Sequence, residues 1–290
     1  MSGRSSWLAR WTPDFVATAA QLACLLEVSA EKPGNVTPTH AFADMRYEDF
    51  LRSAAATGPA LAQAGNRGVG ATIEAAITAT RRWTQTNTNL GIVLLFAPLA
   101  RAALLGGESL RASLKAVLRE LTVADARAAY AAINLAAPGG LEQAVEHDVR
   151  AKPTVTLRQA MAGAVERDSI AAEYLSDYAI VFEQGLPALQ RTLAKGVGTD
   201  EVVVQGYLEL LAAVPDTLIA RKRGLATAQA VSAQAAQVVA AGGVFTSGGR
   251  AAITALDSRL RAETDNGLNP GTTADLIAAT LFVALLEGVL

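Results

Sequence analysis

Cysteine, histidine, aromatic residues and net charge are all scarce in this chain of 290 residues, and each shortage excludes something. With one cysteine, Cys24, no internal disulfide can form. Cys24 lies in the apolar run 23–26 and reads as a small core residue rather than a nucleophile. Two histidines, His40 and His147, are too few for a zinc centre of the usual histidine–cysteine type. Aromatics make up 5% of residues and the formal net charge is −2, which leaves neither a base-stacking surface nor a basic field for nucleic acid. No apolar stretch approaches the roughly 20 residues that span a bilayer. The two most apolar, 90–100 and 276–286, are closed by Asn89 and Arg101 and by Asp275 and Glu287. They predict helices buried on all sides. The opening residues carry no continuous apolar run of a leader or anchor. The expected setting is cytoplasmic, with no membrane and no nucleic-acid partner.

Hydrophobic residues account for 51% and charged residues for 18%, enough to build a sizeable core. Alanine, leucine, glutamate and arginine dominate, and β-branched runs are rare, so helix is favoured nearly throughout. The exception, Val202-Val203-Val204, sits where Val203, Tyr207, Leu210 and Leu211 recur at helical spacing. Periodicity and breakers predict helices centred on 12–30, 47–57, 60–65, 70–82, 88–105, 108–119 and 122–136. Further helices are expected over 154–166, 168–194, 199–213, 225–241, 246–263 and 272–288. Thr122 and Asp125 have capping-box spacing, and Pro98 should kink the helix that contains it. With no repeat, no low-complexity tract and no long linker, the expected fold is all-α. It is a single compact multi-helix domain over 1–290 with buried apolar central helices, in which residues 1–11 form a loose segment. The stretch 138–153, carrying His147 and Asp148, is the longest excursion. Apolar faces on many helices are compatible with a homodimer.

In a helical protein, chemistry concentrates in loops that are more polar than capping requires. Four segments qualify. Glu27, Lys32, Gly34, His40 and Asp44 surround a Pro-Gly turn and offer carboxylates, a cation, a titratable ring and an open backbone. That inventory suits a phosphate or a carboxylate-held metal ion. The glycine-rich stretch 65–70 precedes a helix as a phosphate loop would, but no Gly-Lys-Ser/Thr follows and no strand precedes, so a linker is favoured. Thr86-Asn87-Thr88-Asn89 lies at the start of the buried helix and holds more amides than one cap needs. Asp216 with Arg221, Lys222 and Arg223 is paired with Asn269-Pro270-Gly271-Thr272-Thr273-Ala274-Asp275. There Thr272 and Asp275 fit a cap, and the same helix start suits an anion.

Taken in order, these segments resemble the triphosphoribosyl-dephospho-CoA synthases, the CitG/MdcB-type proteins. Glu27-Val28-Ser29 with Lys32-Pro33-Gly34 resembles that family's E-V-x-x-x-P-K-P-G-L-V opening, and His40 with Asp44-Met45 its H-R-D-M. Asn87-Thr88-Asn89-x-Gly91 resembles N-T-H-x-G. Asp216-Thr217 through Gly224 resembles D-T-N…R-G-G, and 269–276 resembles S-P-G-G-S-A-D-L. Asn89 replaces the family's histidine, Asn35 its leucine, and Thr272 and Thr273 its glycine and serine, which points to a divergent member.

The resemblance implies a helical enzyme that uses ATP as substrate, with Mg2+. The 2′-hydroxyl of dephospho-CoA attacks C1′ of ATP's ribose and releases adenine. The product serves as a prosthetic group of an acyl carrier protein. Such a reaction needs carboxylates for proton transfer and charge stabilisation, and cations for the triphosphate. Asp44, His40, Asp275 and Asp216 are the expected catalytic residues. Lys32, Gly34, Asn35, Asn87, Asn89, Arg221, Arg223, Asn269, Gly271 and Thr272 are the expected nucleotide contacts. Glu27, Asp44 and Asp275 are the expected metal ligands. Two other readings stay open: a related transferase with a different acceptor, and a nucleotide-binding protein without catalysis.

Overall fold

A computed structural model of the chain describes residues 11–137, 149–262 and 266–290. Among these residues there is no strand beyond an isolated bridge between Phe42 and Met45. The helices are α1 (Pro13–Ser29), α2 (Tyr47–Ala62), α3 (Val69–Arg81), α4 (Leu90–Leu105), α5 (Leu110–Arg119), α6 (Val123–Ala136) and α7 (Leu157–Ala162). They continue with α8 (Ser169–Ser176), α9 (Leu186–Leu193), α10 (Thr199–Ala213), α11 (Thr217–Arg223), α12 (Leu225–Ala240), α13 (Ser247–Leu260) and α14 (Gly271–Glu287). The fold is all-α, as the composition implies. No single helix among the described residues is long and apolar enough to cross a membrane.

The two apolar runs become the centre of the molecule. α4 and α14 pack against each other, with the rings of Phe96 and Phe282 stacked at 4.6 Å. Both helices are buried on nearly every side, so each Leu, Ile or Phe they carry contributes about 1.5–3 kcal/mol of transfer free energy. Trp11 ties the chain start to this centre, its indole N–H donating to Leu286 O at 2.8 Å. The loose segment expected over 1–11 therefore does not include Trp11, and residues 1–10 lie outside the described residues.

Two helices contain a proline, and each loss is made good by a neighbour. Pro98 has no N–H for the carbonyl four residues back, and Tyr174 Oη of α8 donates to that carbonyl, Leu94 O, at 2.7 Å. Pro59 leaves Ala55 O without its donor, and Gln21 Nε2 of α1 fills it at 2.9 Å. Gly58 makes room for this, because a β-carbon there would lie 2.5 Å from the Gln21 side chain. The helices expected over 47–57 and 60–65 thus run together as α2 through Pro59.

The expected helix over 168–194 is broken. Asp177 and Tyr178 take left-handed backbone, φ 54° and 60°, and a π-helical turn follows over Ile180–Gly185. The buried Glu173 carboxylate holds the break, accepting from Ile180 N at 2.9 Å and Val181 N at 3.0 Å. Burial pushes its carboxyl up to about 7. The break lets Tyr178 follow Tyr174 onto α4, where its hydroxyl donates to Leu95 O at 3.0 Å.

The glycine-rich stretch before α3 is a packing joint. The capping box of α6 forms as its spacing implies, and Asp125 Oδ1 also accepts from Gly70 N at 2.9 Å. A β-carbon on Gly70 would lie 2.2 Å from Asp125 O, so the glycine permits α3 to approach α6.

Candidate active site

A cavity of about 1030 Å³ opens beside the N-terminal ends of α4 and α14. That volume is at the top of the range for a small-ligand pocket. Glu27, at the end of α1, lines it together with Asn35 and Asp44 from the following loop. Asn87 and Asn89 come from the start of α4, Arg221 from α11, and Asn269, Gly271, Thr272 and Asp275 from the start of α14. The sequence motifs thus converge in space although they span most of the chain.

Asp275 faces this cavity without the capping duty its spacing suggests. Thr272 is not the cap of α14; the N-cap position is Pro270, which makes no side-chain cap. The cap comes from another helix: Asp216 Oδ2 accepts from Thr273 N at 2.7 Å and from Thr273 Oγ1 at 2.8 Å. Thr272 Oγ1 instead meets Thr217 Oγ1 at 3.1 Å. Asp275 Oδ2 packs against the first turn of α4, where a β-carbon on Gly91 would lie 2.0 Å away. Gly91 is therefore required by the Asp275 carboxyl itself. Burial first, then the charges of Glu27, Asp216 and Asp168, push the Asp275 carboxyl well above the ordinary range, against the opposing pull of Arg221.

Glu27 is the second buried acid of the cavity. Lys32 Nζ stands 3.0 Å from Glu27 Oε1, and the same ammonium donates to Glu27 O and, at 3.3 Å, to Ala30 O. The contact to Oε1 is an ion pair off hydrogen-bond geometry, and Oε1 accepts no hydrogen bond. Burial raises the Glu27 carboxyl, and the Lys32 charge works against that rise. Lys32 is fully buried and does not line the cavity, so it pairs with Glu27 from behind the wall.

Other expected contacts also prove to be supports. Asp216 is off the cavity wall and saturated: Oδ1 caps α11 through Leu218 N and Ile219 N at 2.9 and 3.0 Å, while Oδ2 holds Thr273. Gly34, at φ 74°, gives its amide to Asp257 Oδ1 at 2.8 Å, and a β-carbon there would lie 2.7 Å from Leu260. It is a close approach to α13, not to a ligand. His40 stands on an exposed turn, bonded to Thr39 Oγ1 at 2.8 Å, off the cavity. Arg223 packs its guanidinium over Gly267 and is likewise off the wall.

The remaining polar groups are organised by one another. Asn35 Nδ2 donates to Asn269 Oδ1 at 2.9 Å, joining the first and last motifs across the cavity. Asn87 Oδ1 caps α4 through Leu90 N at 3.1 Å, and Asn89 Nδ2 is engaged by Thr80 Oγ1 at 3.1 Å. Arg221 Nη1 donates to Asp168 Oδ2 at 2.8 Å, while its Nε is buried without a partner.

Comparison with known proteins follows this geometry. Residues 13–290 match the CitG family, described as ATP:dephospho-CoA triphosphoribosyl transferase. The chain belongs to this family. A relative from Klebsiella pneumoniae, named 2-(5''-triphosphoribosyl)-3'-dephosphocoenzyme-A synthase, is 30% identical over 70% of this chain and 64% of its own length. A probable synthase of the same name from Vibrio cholerae is 38% identical over 38% of this chain and 34% of its own length. The chain thus matches less than two thirds of the length of these relatives. A candidate triphosphoribosyl-dephospho-CoA synthase from Archaeoglobus fulgidus, known from a crystal structure, superposes with a TM-score of 0.64 at 28% identity. That superposition covers 82% of this chain and 99% of the other.

This CitG-family cavity also contains residues that the motifs miss. Arg167, Asp168 and Glu166 line it from the turn between α7 and α8, while Lys222, already singled out beside Arg221 in the sequence, lines it too. Asp168 caps α8 through Ile170 N at 2.9 Å, and that capping pattern is the one sequence signal that could have marked the turn. Part of the 138–153 excursion, including His147 and Asp148, lies outside the described residues. A three-carboxylate metal site of Glu27, Asp44 and Asp275 is not formed: among the described residues no three His, Cys, Asp or Glu converge on one point. Asp44 is exposed and turns to Asn266, its Oδ1 accepting from Nδ2 at 3.1 Å.

Proposed function

We propose that this protein transfers a triphosphoribosyl group from ATP to an acceptor hydroxyl, with the ribose 2′-hydroxyl of dephospho-CoA as the acceptor. The acceptor oxygen bonds to C1′ of ATP's ribose as the bond from C1′ to adenine breaks, and the triphosphate stays on the transferred sugar. The observation that carries this reading is the Asp275 carboxyl. It lies on the cavity wall, it is relieved of capping by Asp216, and its neighbours raise its affinity for a proton.

Asp275 suits the proton donor to departing adenine, since burial and the neighbouring carboxylates raise its affinity for a proton. Glu27, whose carboxyl is raised by burial against the opposing pull of Lys32, suits the proton released by the attacking hydroxyl, and when ionised it suits the positive charge that develops at C1′. Its charge already acts on Asp275, so the proton gained by one acid can restore the other. Arg221 and Lys222 meet the phosphates from α11. A magnesium ion carried on the triphosphate needs one or two carboxylates beside phosphate oxygens and water, and Asp44 at the rim fits that need; bound there it would neutralise phosphate charge. The cytoplasm, where ATP is abundant, is the compartment this reaction requires.

A different acceptor is the second reading. It is favoured by Asn89, which stands where the family motif has histidine and gives its amide to Thr80. Incubation of the protein with ATP, magnesium and dephospho-CoA, followed by chromatography for free adenine, tests both. Adenine that appears only with dephospho-CoA supports the full proposal. ATP binding without adenine release supports the second reading, and absence of both ATP binding and adenine overturns the first.

A further inference from the structure

Three cations follow one another at the end of α11, and their heads are held in different ways. Lys222 Nζ donates to Asn266 O at 3.1 Å, and the Arg223 guanidinium packs over Gly267. Arg221 meets a carboxylate on the cavity wall, its Nη1 donating to Asp168 Oδ2 at 2.8 Å. Asp168 divides its two oxygens between two duties, because Oδ1 caps α8 by accepting from Ile170 N at 2.9 Å. We propose that Asp168 is a positioning residue for the transfer: it holds the Arg221 guanidinium in the pose that grips the donor's phosphates and takes no part in the bond exchange at C1′. This inference rests on the proposed transfer and adds to it a residue that none of the sequence motifs contains.

The fold fixes Asp168 before any ligand arrives. Its turn is closed by Arg167 N and Asp168 N, both bonded to Ala164 O at 3.0 Å. The next residue, Ser169, donates its N–H to Thr217 Oγ1 at 3.3 Å, which ties the start of α8 to the start of α11. Arg221 stands on that same short helix, so the fold itself brings guanidinium and carboxylate together. The pairing is also one-sided. It engages Nη1, whereas Nε is shielded from solvent and meets no acceptor. In a guanidinium, Nε and Nη2 form an edge that grips two phosphate oxygens in parallel, and Asp168 leaves that edge open. A buried N–H without an acceptor costs free energy, and a phosphate oxygen seated on that edge removes the cost. Stability does not account for the pair. Arg221 and Asp168 are 26% and 27% exposed, and ion pairs partly open to water contribute little to folding. The structural duty of Asp168 is the cap, which uses the other oxygen. What Oδ2 supplies is order: it restricts a long, many-jointed side chain on the cavity wall in advance, and that favours phosphate binding by preorganisation.

A double-mutant cycle read by calorimetric titration with ATP tests the assignment. Asp168→Ser keeps a capping side chain for α8 but is too short to reach Arg221. It should weaken ATP binding by about tenfold while turnover at saturating substrates stays within about threefold, the split expected when uniform binding is lost. Asp168→Asn also caps and still offers an oxygen to Nη1, so it should recover part of the loss, and it carries the test if Asp168→Ser does not fold. Arg221→Gln should weaken ATP by about tenfold or more, and adding Asp168→Ser to it should change ATP binding by no more than about twofold. Losses that multiply in the double variant overturn the positioning role. So does an Asp168→Ser protein that binds ATP within about twofold of the unaltered one, whatever its turnover. Either result leaves the transfer reading intact so long as the unaltered protein binds ATP and releases adenine. Failure of the unaltered protein to bind ATP overturns both.

Discussion

Asp216 and Asp275 lie close to the start of a helix each, and both belong to motifs of the same family, yet their surroundings are opposite. Asp216 sits off the cavity with both oxygens engaged, two bonds to α11 and two to Thr273. Burial raises its carboxyl, and those four donors pull it back. Asp275 sits on the cavity wall, and what surrounds it is chiefly other negative charge. Lys32 and Glu27 repeat the contrast, one wholly engaged within the protein and the other opening to the cavity. An acid surrounded by donors is a structural joint, whereas an acid surrounded by acids is a reservoir for a proton.

The contrast can be broken by substitution. Asp275→Asn removes the proposed proton donor and no helix cap, so adenine release should fall by about two to four decades while the melting temperature stays within about 2 °C. Asp216→Ala should do the reverse in kind. Four donors lose a charged acceptor, and the free energy of unfolding, measured by urea titration, should drop by about 3 kcal/mol, with activity falling only as α14 loosens. A stable Asp216→Ala protein with the turnover loss of Asp275→Asn would erase the distinction.

Glu173 sharpens it from outside the site. Its folded carboxyl sits at about 7 against an ordinary 4.5, so the native state holds a proton that the unfolded chain releases. Its contribution is full below about pH 4.5 and is lost as the pH rises to about 7, at up to about 1.4 kcal/mol per pH unit. Glu173→Gln, which cannot ionise, should flatten that slope in urea titrations at pH 5, 6 and 7. The smallest effect is expected at His40. It is exposed and away from the wall, so His40→Ala should leave adenine release within about twofold.

Much of the site was legible because its loops were more polar than helix ends require. Asn87 and Asn89 were marked on that argument, and Asn35, Asn269 and Asp275 through the family motifs; all five line the cavity. What misled was local spacing. Thr272 and Asp275 have the separation of a capping pair, but the real cap comes from 57 residues away, and no short-range rule contains that contact. The apolar lining of the cavity was invisible for a different reason: Leu157 or Ala160 lining a cavity looks the same in sequence as Leu157 or Ala160 filling a core. The centre of the fold was plain because α4 and α14 are apolar all round. The break after α8 was not, because Asp177 and Tyr178 adopt left-handed backbone without glycine, held there by bonds from Glu173 that only the folded chain makes.

The two prolines inside helices have a consequence for how this chain can vary over generations. Each proline silences a main-chain donor, and the replacement donor is written in another helix: Tyr174 for Leu94 O and Gln21 for Ala55 O. A segment swapped in from a relative brings its prolines but not their remote substitutes. A hybrid that receives α4 with Pro98 and an α8 without a hydroxyl at position 174 would bury an orphaned carbonyl, at a cost of about 1–3 kcal/mol. α4 with α8, and α2 with α1, are therefore the smallest parcels that recombination can exchange without penalty.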